Sequence, residues 1–391
     1  MKQERAIRNN LSPSKVAVVK CSEYEEGQVV EAVGRGLSLI GGIEQFVKKD
    51  ERILLKPNML VGTVPEKAVT THPAVFKAVA RHLLGQGAQL TYGDSPGFGR
   101  PDSVARKAGL SAAADELGIP LADFSTGSTV SFPEGHLIKQ FTLAKGVLDC
   151  DGIVSLPKMK THALTRLTGA VKIHFGCIPG LLKGEFHARM SDMERFSKML
   201  VDLTRYLRPR LYVMDAVVAM EGNGPRSGTP RPMHAILVST DPVAMDAVAC
   251  RMMALDPTLV PTNVWGEELG LGSYTNIETV GDSVASFVVK DFKVNRTTGS
   301  TTGSMNSRLA RILRNRVVPR PAINAARCTR CGTCVKVCPV TPKAVDFQNR
   351  EAGGPPVHTY SRCIRCYCCQ EMCPENAITV ITPPIGRLLH R

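Results

Sequence analysis

From Cys328 to Pro374 the chain reads C-T-R-C-G-T-C-V-K-V-C-P, then a spacer, then C-I-R-C-Y-C-C-Q-E-M-C-P. Both halves fit C-x2-C-x2-C-x3-C-P, the spacing that ligates iron–sulfur clusters. Three thiolates two residues apart can wrap one cube, while the fourth, followed by proline, points away and serves the other. The expected pairing is therefore crossed. Cys328, Cys331, Cys334 and Cys373 would hold one [4Fe–4S] cluster, and Cys363, Cys366, Cys369 and Cys338 the second. A zinc ribbon is the competing reading, but such ribbons carry paired C-x2-C knuckles rather than a run of three plus one. The two motifs leave some three hundred residues unexplained.

A chain of 391 residues can bury a large core and has room for two domains. No apolar run reaches the roughly 18 residues that span a bilayer. The start, MKQERAIRNNLSPSK, has charges but no apolar segment after them, so no export signal is expected. Most of the thirteen cysteines sit in the cluster motifs, and cluster thiolates must stay reduced, which points to the cytoplasm. The formal charge of +14 falls to roughly +10 once two clusters, each about −2 with its thiolates, are counted. The holo-protein stays basic, which suits an acidic redox partner or an anionic substrate.

Short β-branched runs alternate with segments of helical periodicity. Strands are expected at Lys15–Cys21, Arg52–Leu55, Gln89–Tyr92, Gly152–Leu156, Leu211–Met214, Ala235–Val238 and Asn276–Val280. Helices are expected over Glu25–Phe46, Thr71–Leu84, Ser103–Leu117 and after Asp241–Pro242. This alternation predicts an α/β fold with a mostly parallel sheet covered by helices, followed by a small α+β ferredoxin-like unit. The expected organisation is an arm (1–13), an α/β domain (14–290), an Arg-rich linker (291–322), the ferredoxin unit (323–382) and a tail (383–391). No acidic residue occurs from Phe292 to Val345, and Arg308, Arg311, Arg314, Arg316 and Arg320 punctuate the linker. It reads either as a solvated connector or as a docking face for an acidic partner or a membrane surface. Nucleic acid is disfavoured, because no aromatic residue interleaves the arginines.

In such a sheet, ligands bind where the carboxyl ends of strands open into a crevice. Polar clusters fall at those ends: Lys56–Asn58, Gly93–Pro96, Pro157–His162, Asp215–Gly224 and Asp241–Pro242. Lys158, Lys160, His162, Lys172 and His187 make this inventory cationic, and they are the expected substrate-handling residues. The lysines would neutralise an anion, and an imidazole could move protons. Arg226 and Arg231 add charge on a turn-rich loop. Walker A and G-x-G-x-x-G motifs are absent, which disfavours nucleotide-dependent readings.

Lys56-Pro57-Asn58, Thr71-His72-Pro73, L-P-K-M-K-T-H, L-T-G-A-V-K and D-P-V-A-M-D-A-V at Asp241–Val248 resemble the DUF362 family over residues 15–290. Many members carry the same C-terminal two-cluster unit, so the resemblance implies an iron–sulfur protein without implying a reaction. Lys172-Ile173-His174-Phe175-Gly176 departs from the K-N-x-x-G expected there. The sequence thus supports an iron–sulfur redox protein whose ferredoxin unit passes single electrons to or from an anionic ligand. Its rivals are an electron-transfer adaptor for a partner enzyme and a redox-sensing ligand binder.

Overall fold

The structure, a computed structural model, describes residues 12–180, 182–190, 192–297, 315–348 and 353–389. In chain order the large unit contributes β1 (Ser14–Lys20), β2 (Arg52–Pro57) and β3 (Gln89–Tyr92). A separate hairpin follows, β4 (Gly127–Ser131) and β5 (Gln140–Ala144). Then come β6 (Gly152–Leu156), β7 (Lys158–His162), β8 (Arg166–Leu167), β9 (Leu211–Glu221), β10 (Thr229–Ser239) and β11 (Ile277–Gly281). Without the hairpin these strands form a 9-stranded sheet in the order β11-β1-β10-β9-β6-β2-β3, with β7 beside β9 and β8 beside β7. The β11–β1, β9–β6, β6–β2, β2–β3 and β7–β9 pairs are parallel. The β1–β10, β10–β9 and β7–β8 pairs are antiparallel. The sheet is therefore mixed and mostly parallel.

Strand periodicity divides the core into layers. In β1, Ala17 and Val19 join one cluster while Val16 and Val18 join another, because successive side chains point to opposite faces. The first face packs on helices Glu26–Leu39 and Pro73–Gly85 through Val29, Val33, Val75 and Val79. The opposite face packs on helix Pro242–Met252 beneath β1, β9 and β10. Helix Met193–Leu207 covers Leu54 and Ile153 through Phe196, Leu200 and Leu203. Strands buried on both faces explain why the valine runs were legible as strands.

Several boundaries differ from expectation. The first helix ends at Leu39, because Gly41 and Gly42 take φ of 112° and 94°. The helix expected over Ser103–Leu117 is two, Pro101–Lys107 and Leu110–Glu116, broken at Gly109 with φ 73°. The strand expected to stop at Met214 runs on to Glu221, and Lys158–His162, read as a loop, is a buried strand. Charged residues hide a strand from a hydropathy reading unless their partners are known.

The cysteine-rich unit pairs β12 (Arg320–Ile323) with β15 (Ile378–Ile381), and β13 (Val345–Asp346) with β14 (Val357–His358), both antiparallel. The loop after β9 clamps it to the large unit. Asn223 Nδ2 donates to Asn376 Oδ1 (2.7 Å), Gln370 Nε2 donates to Asn223 Oδ1 (2.8 Å), and Arg226 Nη1 donates to Met372 O (2.7 Å). Arg308, Arg311 and Arg314 lie outside the described residues; Arg320 stacks 4.4 Å from the Tyr360 ring. No described helix is long and apolar enough to cross a membrane.

Candidate functional site

The polar strand ends do come together, but most of their charges are already spent on one another. Lys56 Nζ donates to Asp94 Oδ1 at 2.8 Å, with both residues buried. Lys160 Nζ donates to Asn58 Oδ1 (2.6 Å) and to Val69 O (2.7 Å). Lys158 Nζ donates to Asp215 Oδ2 (2.7 Å) and Tyr24 Oη (2.8 Å), while the Tyr24 hydroxyl donates to Asp215 Oδ1 (2.8 Å). The His72 N–H donates to Asp215 Oδ2 as well, and the His72 ring stacks 3.5 Å from Tyr24. A buried charge persists only where it is paired and hydrogen-bonded. Lys158 is therefore tied into a closed network and lies outside the cleft described next, contrary to its expected substrate role. A register shift between Lys158 and Lys160 along β9 separates the two lysines' surroundings.

A cleft of about 670 Å³ lies where the two units meet. Its large-unit wall includes Asn58, Asp94, Lys160, Lys172, Phe175, Lys183 and His187. Its other wall comes from the cysteine-rich unit: Lys336, Cys338, Pro339, Lys343, Cys368, Glu371 and Met372. A volume of this order is that of a small-molecule site.

Lys172 Nζ has no hydrogen-bond partner among the described residues and sits 5.9 Å from the Phe175 ring centre. Burial lowers its pKa, against the pull of Glu371. The short helix Gly169–Lys172 is held by Asp246, whose carboxylate accepts from Ala170 N (2.6 Å) and Val171 N (3.2 Å). Gly169 takes φ 59°, and a Cβ there would lie 2.3 Å from Asp246 Oδ1. This is the physical content of the G-A-V-K and D-P-V-A-M-D runs: one presents Lys172, the other anchors it.

His162 Nδ1 accepts from Leu164 N (3.0 Å) and Thr165 N (3.3 Å), so in the neutral ring the proton is on Nε2. Nε2 lies 2.8 Å from Glu371 Oε1, but the N–H is not aimed at that oxygen, so the contact is a close approach rather than a formed hydrogen bond. Burial, with Lys172 nearby, takes the His162 pKa down to about 4. Burial also takes His187 to about 4; its ring packs against Phe175 and Phe196, and its buried Nδ1 has no partner among the described residues. Both rings are neutral near pH 7. Burial alone would raise the Glu371 pKa, but His162 and Lys172 outweigh it and hold the carboxyl below its usual range. Sequence reading missed Glu371 because it stands inside the second cysteine motif, where spacing alone drew notice. The signal was an acidic residue beside ligand cysteines in a chain otherwise rich in base.

Other candidates go elsewhere. His174 lies under the sheet against Ser155 Oγ (2.8 Å) and Thr204 Oγ1 (3.1 Å). Asp241 caps helix Pro242–Met252 through Val243 N and Ala244 N. Arg231 pairs with Asp291 at the surface. Cys177 is fully buried, and desolvation pushes its thiol up to about 12, away from reactivity.

The eight motif cysteines border two small cavities. Cys328, Cys331, Cys334 and Cys373 line one; Cys338, Cys363, Cys366 and Cys369 line the other. Among the described residues, no three His, Cys, Asp or Glu side chains converge on a single-ion site. Thiols spread around a cavity suit a polynuclear cluster better than one ion. Backbone N–H groups already face the sulfurs, Ala344 N to Cys338 Sγ at 3.4 Å and Ala377 N to Cys373 Sγ at 3.3 Å. Such donors tune a cluster's potential. Cys338 and Pro339 line both the second cavity and the interdomain cleft, and Cys368 lines the cleft alone.

A ferredoxin-patterned cysteine unit forming one wall of an α/β cleft defines an iron–sulfur electron-transfer protein. The chain belongs to the DUF362 family, described as a domain of unknown function, whose profile matches residues 53–251. The 4Fe–4S dicluster domain matches residues 320–374, which shows that the C-terminal unit binds iron–sulfur clusters. Thylakoid-associated protein sll1697 of Synechocystis sp. is 37% identical over 259 residues, covering 66% of this chain and 79% of its own. Among solved structures, the lactate racemase apoprotein from Thermoanaerobacterium thermosaccharolyticum is similar at 11% identity and a TM-score of 0.37, over 57% of this chain and 54% of that one. A Thermotoga maritima protein is similar at 13% identity and a TM-score of 0.33, over 56% of each chain. The chain thus spans about half the length of these two structures.

Proposed function

We propose that this protein is an iron–sulfur redox protein that exchanges single electrons with an anionic small molecule held in the interdomain cleft. One [4Fe–4S] cluster would be held by Cys328, Cys331, Cys334 and Cys373, and the other by Cys363, Cys366, Cys369 and Cys338. Bound clusters supply one-electron chemistry at the low potentials typical of all-cysteine ligation. The observation that carries the reading is the shared wall: Cys338 and Pro339 belong both to the second cysteine cavity and to the cleft that holds Lys172.

In this reading Lys172 neutralises the ligand's charge, and Lys160, fixed by Asn58 and Val69, lines the same wall. The neutral His162 and His187 are the groups able to move a proton, the first from Nε2. Lys158 has no part in the chemistry. The adaptor reading, with the large unit merely docking a partner enzyme, gives no role to a cationic cleft built jointly by both units. A redox partner protein for the cysteine unit belongs to the proposal, and the basic chain favours an acidic one. Residence in the cytoplasm is part of it as well. The thylakoid association in the relative's name makes attachment to a membrane surface the rival, which fractionation of cells decides.

Anaerobically prepared protein should contain about eight iron and eight sulfide per chain. Reduced protein mixed with a panel of anionic metabolites should be reoxidised, measured as recovery of cluster absorbance, faster by some members than by their uncharged amides. Equal rates across charged and uncharged members would overturn the cleft reading in favour of the carrier.

A further inference from the structure

We propose that the cleft ligand is an amphipathic anion, with one acidic group on Lys172 and a flat apolar body lying toward Phe98 and Met372. The inference deepens the function proposed above by naming the ligand class, and it rests on that reading only for the ligand's redox role.

The two ends of the cleft differ in character. At the inner end Lys172 faces the space with its ammonium unbonded among the described residues, beside Phe175 and His187. The other lysines deep in the cleft are engaged, Lys160 by Asn58 and Lys183 by Ser95 Oγ and Ile178 O. Glu371 pulls on it electrostatically but accepts no hydrogen bond from it, so an anion that bonds the ammonium directly relieves the cost of a largely buried cation without an acceptor. His187 Nδ1, in a residue only 6% exposed, is a second polar atom there without a partner.

The outer end is apolar. Leu60 and Met372 close over Gly97, where a Cβ would meet Met372 Cε at 2.8 Å and Leu60 Cδ1 at 3.3 Å. Phe98 follows, 40% exposed, with the Lys336 ammonium 5.9 Å from its ring centre. A large aromatic side chain left this open at the mouth of a cleft has apolar area to give to a ligand. A small inorganic anion would satisfy Lys172 and leave that apolar end wet. A neutral hydrocarbon would fill it and leave Lys172 unmet. Only a molecule with both parts meets both ends.

The test uses the full-length holo-protein under anaerobic conditions and titration calorimetry with three probes: 2-naphthoate, 2-naphthalenemethanol and inorganic phosphate. Naphthoate should bind more tightly than either of the others. Lys172→Met keeps the apolar stem and should weaken naphthoate by about tenfold or more, equal to about 1.4 kcal/mol, leaving naphthalenemethanol unchanged. Phe98→Ala, at an exposed position that leaves the fold intact, should weaken naphthoate and naphthalenemethanol alike by several-fold and leave phosphate unchanged. Iron content and circular dichroism establish that each variant is folded. Equal naphthoate affinity in wild type and Lys172→Met overturns the proposal, as does phosphate binding more tightly than naphthoate. Because binding is read without electron transfer, naphthoate that binds as expected while no metabolite reoxidises the protein sustains the ligand class and rejects the redox role.

Discussion

Lys158 is the residue on which sequence and structure disagree most sharply, and its replacement by methionine tests the structural account. The Lys158–Asp215 pair is 2.7 Å long, with side-chain exposures of 1% and 0%. Removing the ammonium leaves a carboxylate without its counter-charge in the core, and breaking a buried pair from one side costs about 3–5 kcal/mol. The Tyr24 hydroxyl and the His72 N–H still donate to Asp215, so the cost belongs at the lower end, about 3 kcal/mol. At about 2–4 °C per kcal/mol for a unit of this size, Lys158→Met should melt about 6–12 °C below wild type. The double variant Lys158→Met with Asp215→Leu removes both charges and should recover most of that loss, because an apolar replacement of a buried pair is often close to neutral. Anaerobic thermal unfolding followed by far-ultraviolet circular dichroism measures both. Electron exchange with anionic metabolites at 20 °C should match wild type in the double variant. A Lys158→Met protein that melts within 2 °C of wild type yet loses electron exchange would refute the reasoning and return Lys158 to the site.

Three more outcomes follow from particular contacts. Cys338→Ala should lower iron content from about eight to about four per chain and abolish electron exchange with the cleft ligand, since that thiol lines both spaces. Asp246→Asn retains one acceptor oxygen for the two N–H groups of Ala170 and Val171, so it should cost about 1–3 kcal/mol and weaken anion binding by displacing Lys172. Burial raises the Asp246 pKa to about 7 in the fold, above its unfolded value, so its stabilising contribution is complete below about pH 4 and is lost as pH rises through about 7. Asp246→Asn should flatten that slope in pH-dependent melting. Burial also lowers Lys183 to about 8, so naphthoate affinity should fall as pH rises through about 8 while this cleft ammonium loses its charge. Lys183→Met should reduce that fall and leave the part that belongs to Lys172, whose pKa burial also lowers.

The strand-end rule gathered Lys56, Asn58, Asp94 and Lys160 from distant parts of the chain, because parallel strands fed by helices deliver their carboxyl ends to one edge. It misjudged which of them are free. Free and paired lysines look alike in one dimension, and the difference lies in Asp94, Asn58 and Asp215, each from another strand or loop. Arg226 reads only as added charge on a turn-rich loop, and Asn223 and Gln370 draw no notice of their own; their work as a clamp exists only between folded units.

The Cys328–Pro374 spacing specifies its chemistry with little tertiary information, because three of the four ligands expected for each cluster stand within one short run, Cys328–Cys334 or Cys363–Cys369. The valine runs likewise declare a sheet covered on both faces, since burial on both sides removes polar residues from every position. The proposed meeting of electrons and a ligand is another matter. That depends on the second cysteine cavity sharing Cys338 and Pro339 with a cleft that also holds Lys172, 166 positions upstream of Cys338. The cleft's polarity likewise depends on which side chains meet across the interface, where Glu371 approaches His162 and pulls on Lys172. Pairing of charges through space is a property of the packed molecule, so only the tertiary structure decided it.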